Sequence, residues 1–106
     1  MPKLSSPAMN RHSCTLLITN KRGLHARASA NFASLAASFP CDIRLGHSPG
    51  KLCNAKNILE VMMLAASPGT ELHLQAEGER AAEAITALQR LVNARFHEDQ
   101  SFPATP

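Results

Sequence analysis

The sequence predicts an α+β sandwich in which three helices cover one face of a four-stranded antiparallel sheet. Two observations lead there. Apolar residues switch between alternating and helical spacing in the order strand, helix, strand, strand, helix, strand, helix, and no strict βαβ repetition calls for a doubly wound sheet. With 106 residues and 44% apolar content, the chain suits one domain with one core.

The elements follow in order. Residues 14–19 are β-branched and apolar and stop at Asn20-Lys21-Arg22-Gly23, a first strand and its turn. Ala28, Phe32, Leu35, Ala36 and Phe39 then line one face of a helix that starts just after His25 and closes at Pro40. Cys41, Ile43 and Leu45 alternate with Asp42 and Arg44 as a half-buried strand. His47-Ser48-Pro49-Gly50 turns it into a shorter strand over residues 51–54. A short second helix carries Ile58, Val61, Met62 and Ala65 before Ser67-Pro68-Gly69, and Leu72, Leu74 and Ala76 mark a fourth strand whose wet face includes His73. A last helix over residues 79–94 places Ala81, Ile85, Leu88 and Val92 on one stripe, with acids near its start and Arg90 near its end. Residues 1–11 and 99–106 lack apolar periodicity and read as flexible extensions of a domain spanning 12–98.

Composition removes several function classes. No apolar run reaches the roughly 18 residues of a membrane span, and the N-terminus lacks the order of a signal peptide, so a cytoplasmic protein is expected. A net charge of +3 and four phenylalanines as the only aromatics give neither a long basic run nor a stacking platform, which argues against nucleic acid. Cys14, Cys41 and Cys53 are odd in number and lack C-x-x-C spacing, so they read as reduced, packed thiols. His12 with Cys14, and His47 with Cys53, offer two ligand types at loose spacing, which makes no metal site. His97 sits beside Glu98 and Asp99 in a fraying end and reads as a solvated charge partner.

Chemistry concentrates at Gly23-Leu24-His25-Ala26-Arg27, where a loop meets the first helix. His25 falls at the N-cap, with the next backbone N–H groups expected to point outward unpaired, and such an end attracts anions. Arg27 adds a full positive charge with a planar donor fork in the same turn. A nucleophilic imidazole and a phosphate-receptive site would therefore coincide. Ile58, Leu59 and Met62, sharing a short helix with Val61 and Ala65, are candidates for the core by spacing alone.

Residues 18–28, Ile18-Thr19-Asn20-Lys21-Arg22-Gly23-Leu24-His25-Ala26-Arg27-Ala28, resemble the phosphorylation-site segment of HPr histidine phosphocarriers. Residues 54–66 with Pro68-Gly69-Thr70 are similar to that family's second helix and turn, and Glu77-Gly78-Glu79 to its entry into the last helix. The resemblance spans residues 13–97, and Asn93-Ala94-Arg95-Phe96 looks most like the nitrogen-related (NPr) branch. It implies an open-faced sandwich and a cytoplasmic monomer. Such a protein relays phosphate, without a cofactor, from enzyme I to a IIA protein in the phosphoenolpyruvate-dependent phosphotransferase system, and is a carrier more than a free-standing enzyme. By position it implies phosphorylation of His25 through Nδ1, phosphoryl oxygens held by Arg27 and the amides of Ala26 and Arg27, and partner docking by Ile58, Leu59 and Met62. Two departures stand out. Ala28 replaces a proline usual in sugar-transport members, and Asn57 stands where many members carry a regulatory serine. The alternative is an HPr-fold interaction module that docks partners whether or not His25 is phosphorylated.

Overall fold

The computed structural model describes residues 10–98. Strands β1 (Arg11–Leu17), β2 (Asp42–Ser48), β3 (Lys51–Asn54) and β4 (Glu71–Glu77) form one antiparallel sheet in the spatial order β1-β4-β2-β3. Helices α1 (Ala26–Ala37), α2 (Ile58–Met63) and α3 (Ala81–Asn93) complete the open-faced sandwich expected from the sequence. Alternation on the central strand explains the one-sided core: Leu72, Leu74 and Ala76 are buried, and register sets Leu16 opposite Leu72, Leu45 opposite Leu74, and Ile43 opposite Ala76. The helices close over this row with Ala28, Phe32 and Ala36 from α1 and Ala84, Ile85, Leu88 and Val92 from α3.

Element limits differ from the sequence reading in several places, among them α1, which ends at Ala37 so that Phe39 lies beyond it in a turn bonded to Ala36 O. β1 runs from Arg11 to Leu17, because Arg11 already pairs with Glu77 while Ile18 leaves the ladder to bond Thr70 and Gly69 in the loop before β4. The sheet thus begins on the last residue of the segment read as an extension, and Asn10 before it accepts from the Gly78 N–H at 3.2 Å; residues 1–9 and the tail at 99–106 lie outside the described residues. α2 stops at Met63, and Ala65 turns the chain with a φ of 50°. α3 starts at Ala81, two residues late, because Arg80 occupies the left-handed region at φ 64° and Glu79 stays outside the helix. Among the described residues no helix is long and apolar enough to cross a membrane, and no cluster of three or more His, Cys, Asp or Glu could hold a metal ion.

Candidate functional site

The loop before α1 is pinned from both sides. Gly23 has a φ of +64°, and a Cβ built there would lie 2.3 Å from the Ala66 carbonyl oxygen, so only glycine lets the loop pass the end of α2. The next residue uses that closeness: the Leu24 N–H donates to Ala66 O at 2.9 Å, and the Leu24 side chain is buried. From within, the fully buried Asn20 donates through Nδ2 to Gly23 O at 2.8 Å, and the Ser29 hydroxyl donates to Leu24 O at 3.1 Å. The backbone that presents His25 is thereby fixed against α2.

His25 is the N-cap of α1, with extended φ/ψ of −75° and −178°, and its Nδ1 accepts a hydrogen bond from the Arg27 N–H at 3.2 Å. The sequence led us to expect that the Arg27 amide would point outward unpaired. It is aimed at the ring nitrogen instead, because a side-chain acceptor at an N-cap is within reach of the second helical N–H. At 3.2 Å the contact is at the long end for such a bond, so an oxygen seated on Nδ1 could take the amide over at small cost. Ala26 and Arg27 are exposed at the open end of the helix, and the imidazole itself is 16% exposed, enough for an incoming group to reach one edge.

The other ring nitrogen, Nε2, lies 2.5 Å from Oε2 of Glu98. Glu98 follows a short left-handed turn, Arg95–His97, after α3, and its other oxygen accepts from Asn20 Nδ2 at 3.1 Å. The expectation that Glu98 pairs with its neighbour His97 in a fraying end is therefore incomplete: its carboxylate reaches back 73 residues to the loop that carries His25. Nothing local in the sequence signals this contact.

Beside the helix end lies an apolar surface. Leu59 is 65% and Ile58 38% exposed, so the reading of these two as core residues is set aside. Met62 is half-buried, whereas Met63, which spacing did not single out, is 82% exposed, and Leu17 at the end of β1 is 53% exposed. Only Val61 of α2 is buried, which is all that a six-residue helix needs for its one inward face. Asn57 caps this helix, its Oδ1 accepting the N–H groups of Leu59 at 2.9 Å and Glu60 at 3.2 Å.

The fold and site define an open-faced sandwich that presents a histidine at a helix end next to an apolar surface. The family profile described as the PTS HPr component phosphorylation site matches residues 12–94, so the chain belongs to the HPr family of phosphotransferase-system phosphocarriers. Among curated relatives, the phosphocarrier protein HPr of Pseudomonas aeruginosa is 49% identical over 85 residues, covering 80% of this chain and 94% of that protein. The phosphocarrier protein NPr of Klebsiella oxytoca is 31% identical over the same shares of the two chains. A solved HPr from Thermoanaerobacter tengcongensis superposes with a TM-score of 0.77 at 40% identity, over 82% of this chain and 97% of that one.

Proposed function

We propose that His25 is the residue that carries the phosphoryl group, taking it on Nδ1 from enzyme I and passing it to a IIA protein. The observation that carries this reading is the placement of Nδ1, which faces the N-terminus of α1 and the Arg27 amide while Nε2 is occupied by Glu98. Phosphorus bonded to Nδ1 would bring its oxygens toward the amides of Ala26 and Arg27 and within reach of the exposed Arg27 guanidinium, where the helix dipole favours negative charge. The phosphoryl group would remain open to solvent, as a carrier that must give it up requires.

Ile58 and Leu59, with Met62 and the more exposed Met63 at its edge, form the docking surface in this reading. The unbranched methionine side chains adapt to more than one partner, which suits a protein that meets a donor and an acceptor in turn. The chain acts as a cytoplasmic monomer in the nitrogen-related branch; its support is the ending Asn93-Ala94-Arg95-Phe96 and an α2 cap without a hydroxyl at Asn57. Relatives named HPr are more similar than the NPr relative, so the branch assignment rests on those residues alone. With asparagine at position 57 the chain lacks the serine switch, and label entering there from ATP through an HPr kinase would overturn that part.

The experiment is direct. Incubated with phosphoenolpyruvate and enzyme I, the wild-type chain gains acid-labile phosphate and His25→Ala gains none. A wild type that takes no label, yet still binds its partner, leaves the interaction-module reading in its place.

A further inference from the structure

We infer that Glu98 is a positioning residue for His25: held by Asn20 and by a left-handed turn, it fixes the imidazole in the Nε2–H tautomer and so keeps the Nδ1 lone pair at the helix end. The inference rests on the phosphocarrier reading and goes beyond it by assigning a role to the segment after α3.

The chemistry of the two neighbours leaves one tautomer. A neutral imidazole has one N–H and one bare nitrogen, and which is which depends on its partners. The Arg27 backbone N–H only donates, so it needs the lone pair of Nδ1, at 3.2 Å. An ionised carboxylate only accepts, so Glu98 needs the proton on Nε2, at 2.5 Å. Both demands agree. The carboxylate is itself oriented, because Asn20 Nδ2 donates to its second oxygen at 3.1 Å while also holding Gly23 O at 2.8 Å. Asn20 is fully buried, so this amide ties together the loop before His25 and the carboxylate behind it. A carboxylate that orients a histidine, with its own partner behind it, is the usual arrangement where a particular ring nitrogen must be kept reactive.

The backbone gives an independent sign. Arg95, Phe96 and His97 have φ values of 54°, 55° and 61°, three successive non-glycine residues in the left-handed region. Side chains with a Cβ disfavour that conformation, and runs of it persist only where the surroundings impose them. Phe96 supplies the anchor, since its ring is buried in the core at 3% exposure. Ordinary helical continuation of α3 would carry position 98 onward along the helix axis. The left-handed turn delivers it to His25.

During transfer the Nδ1 lone pair forms the new N–P bond as the donor's bond to phosphorus breaks, its electron pair leaving with the donor atom. The Nε2 proton does not move. The ring becomes an imidazolium bearing a phosphoryl group, and Glu98 then offsets a positive charge where before it accepted from a neutral ring.

Nitrogen NMR of the unphosphorylated protein, at a pH where the ring is neutral, reads the tautomer directly. The wild type shows His25 with the proton on Nε2. In Glu98→Ala a substantial share shifts to Nδ1–H, and kcat for label uptake from phosphoenolpyruvate and enzyme I falls on the order of tenfold with KM for the chain unchanged. An unchanged tautomer or an unchanged kcat in Glu98→Ala overturns the inference. Failure of the carrier reading is a separate result, seen as absence of label on the wild type.

Discussion

Two helices of this protein begin with a side-chain cap, and they solve the same local problem to different degrees. At α2, the amide oxygen of Asn57 accepts two N–H groups, from Leu59 and Glu60, and the cap residue is exposed with no further task. At α1, His25 accepts only one N–H, through a ring nitrogen at 3.2 Å, while its other nitrogen is committed to Glu98. Asparagine is among the best residues for an N-cap and histidine is not, so stability alone would have favoured the first solution at both ends. The imperfect cap marks the helix end whose lone pair has another use. Asn57 marks the end whose acceptor is taken up by the helix itself.

The comparison can be broken by exchanging what the two caps lose. His25→Ala removes transfer altogether and should cost about 1 kcal/mol or more, because it takes away the Arg27 cap bond and the contact with the part-buried Glu98 carboxylate; equilibrium unfolding in urea and a labelling assay check both halves. Gly23→Ala is the next largest effect. Its new Cβ meets the Ala66 oxygen at 2.3 Å in a backbone at φ +64°, so we expect a loss of about 2 kcal/mol or more and a displaced His25 with slower transfer. Asn57→Ala should cost about 1 kcal/mol in the same unfolding experiment and leave the labelling of His25 itself intact. Leu59→Glu falls on an exposed position of α2: stability should change by no more than about 0.5 kcal/mol, while transfer between partners weakens measurably.

The smallest effect concerns the half-buried thiols of the sheet. Burial pushes the Cys14 thiol above its ordinary value of 9.0, partly opposed by a hydrogen bond with Gln89, and burial likewise raises Cys53. A thiol whose value is raised on folding binds its proton more tightly in the native state. Its contribution is therefore complete below the unfolded value and is lost as pH climbs through the folded one. The urea midpoint should be flat with respect to these groups up to about pH 9 and decline above it. Replacing both residues with alanine should remove that decline.

Much of this was legible in the sequence because it is local. Leu72, Leu74 and Ala76 alternate cleanly, so β4 and its inward face follow from spacing, as does α1 from Ala28, Phe32 and Ala36. Gly23, His25 and Arg27 are adjacent in the chain, and the physics of a helix start brings them to one place. What spacing missed depends on distant or unusual backbone. Arg80 at φ 64° shortens α3, and no propensity marks an arginine as a left-handed residue. α2 has six residues, too few for a stripe to separate Met62, half-buried, from Met63, exposed. Glu98 joins His25 across 73 residues through three left-handed positions, a path that composition and periodicity do not encode.

The central claim is that the incompletely engaged cap nitrogen is the phosphoryl acceptor. Phosphorus–nitrogen correlated NMR on the chain labelled with enzyme I and phosphoenolpyruvate tests it most directly. Coupling from phosphorus to Nδ1 of His25 is the expected result. Phosphorus on Nε2, or on any other residue, would contradict it.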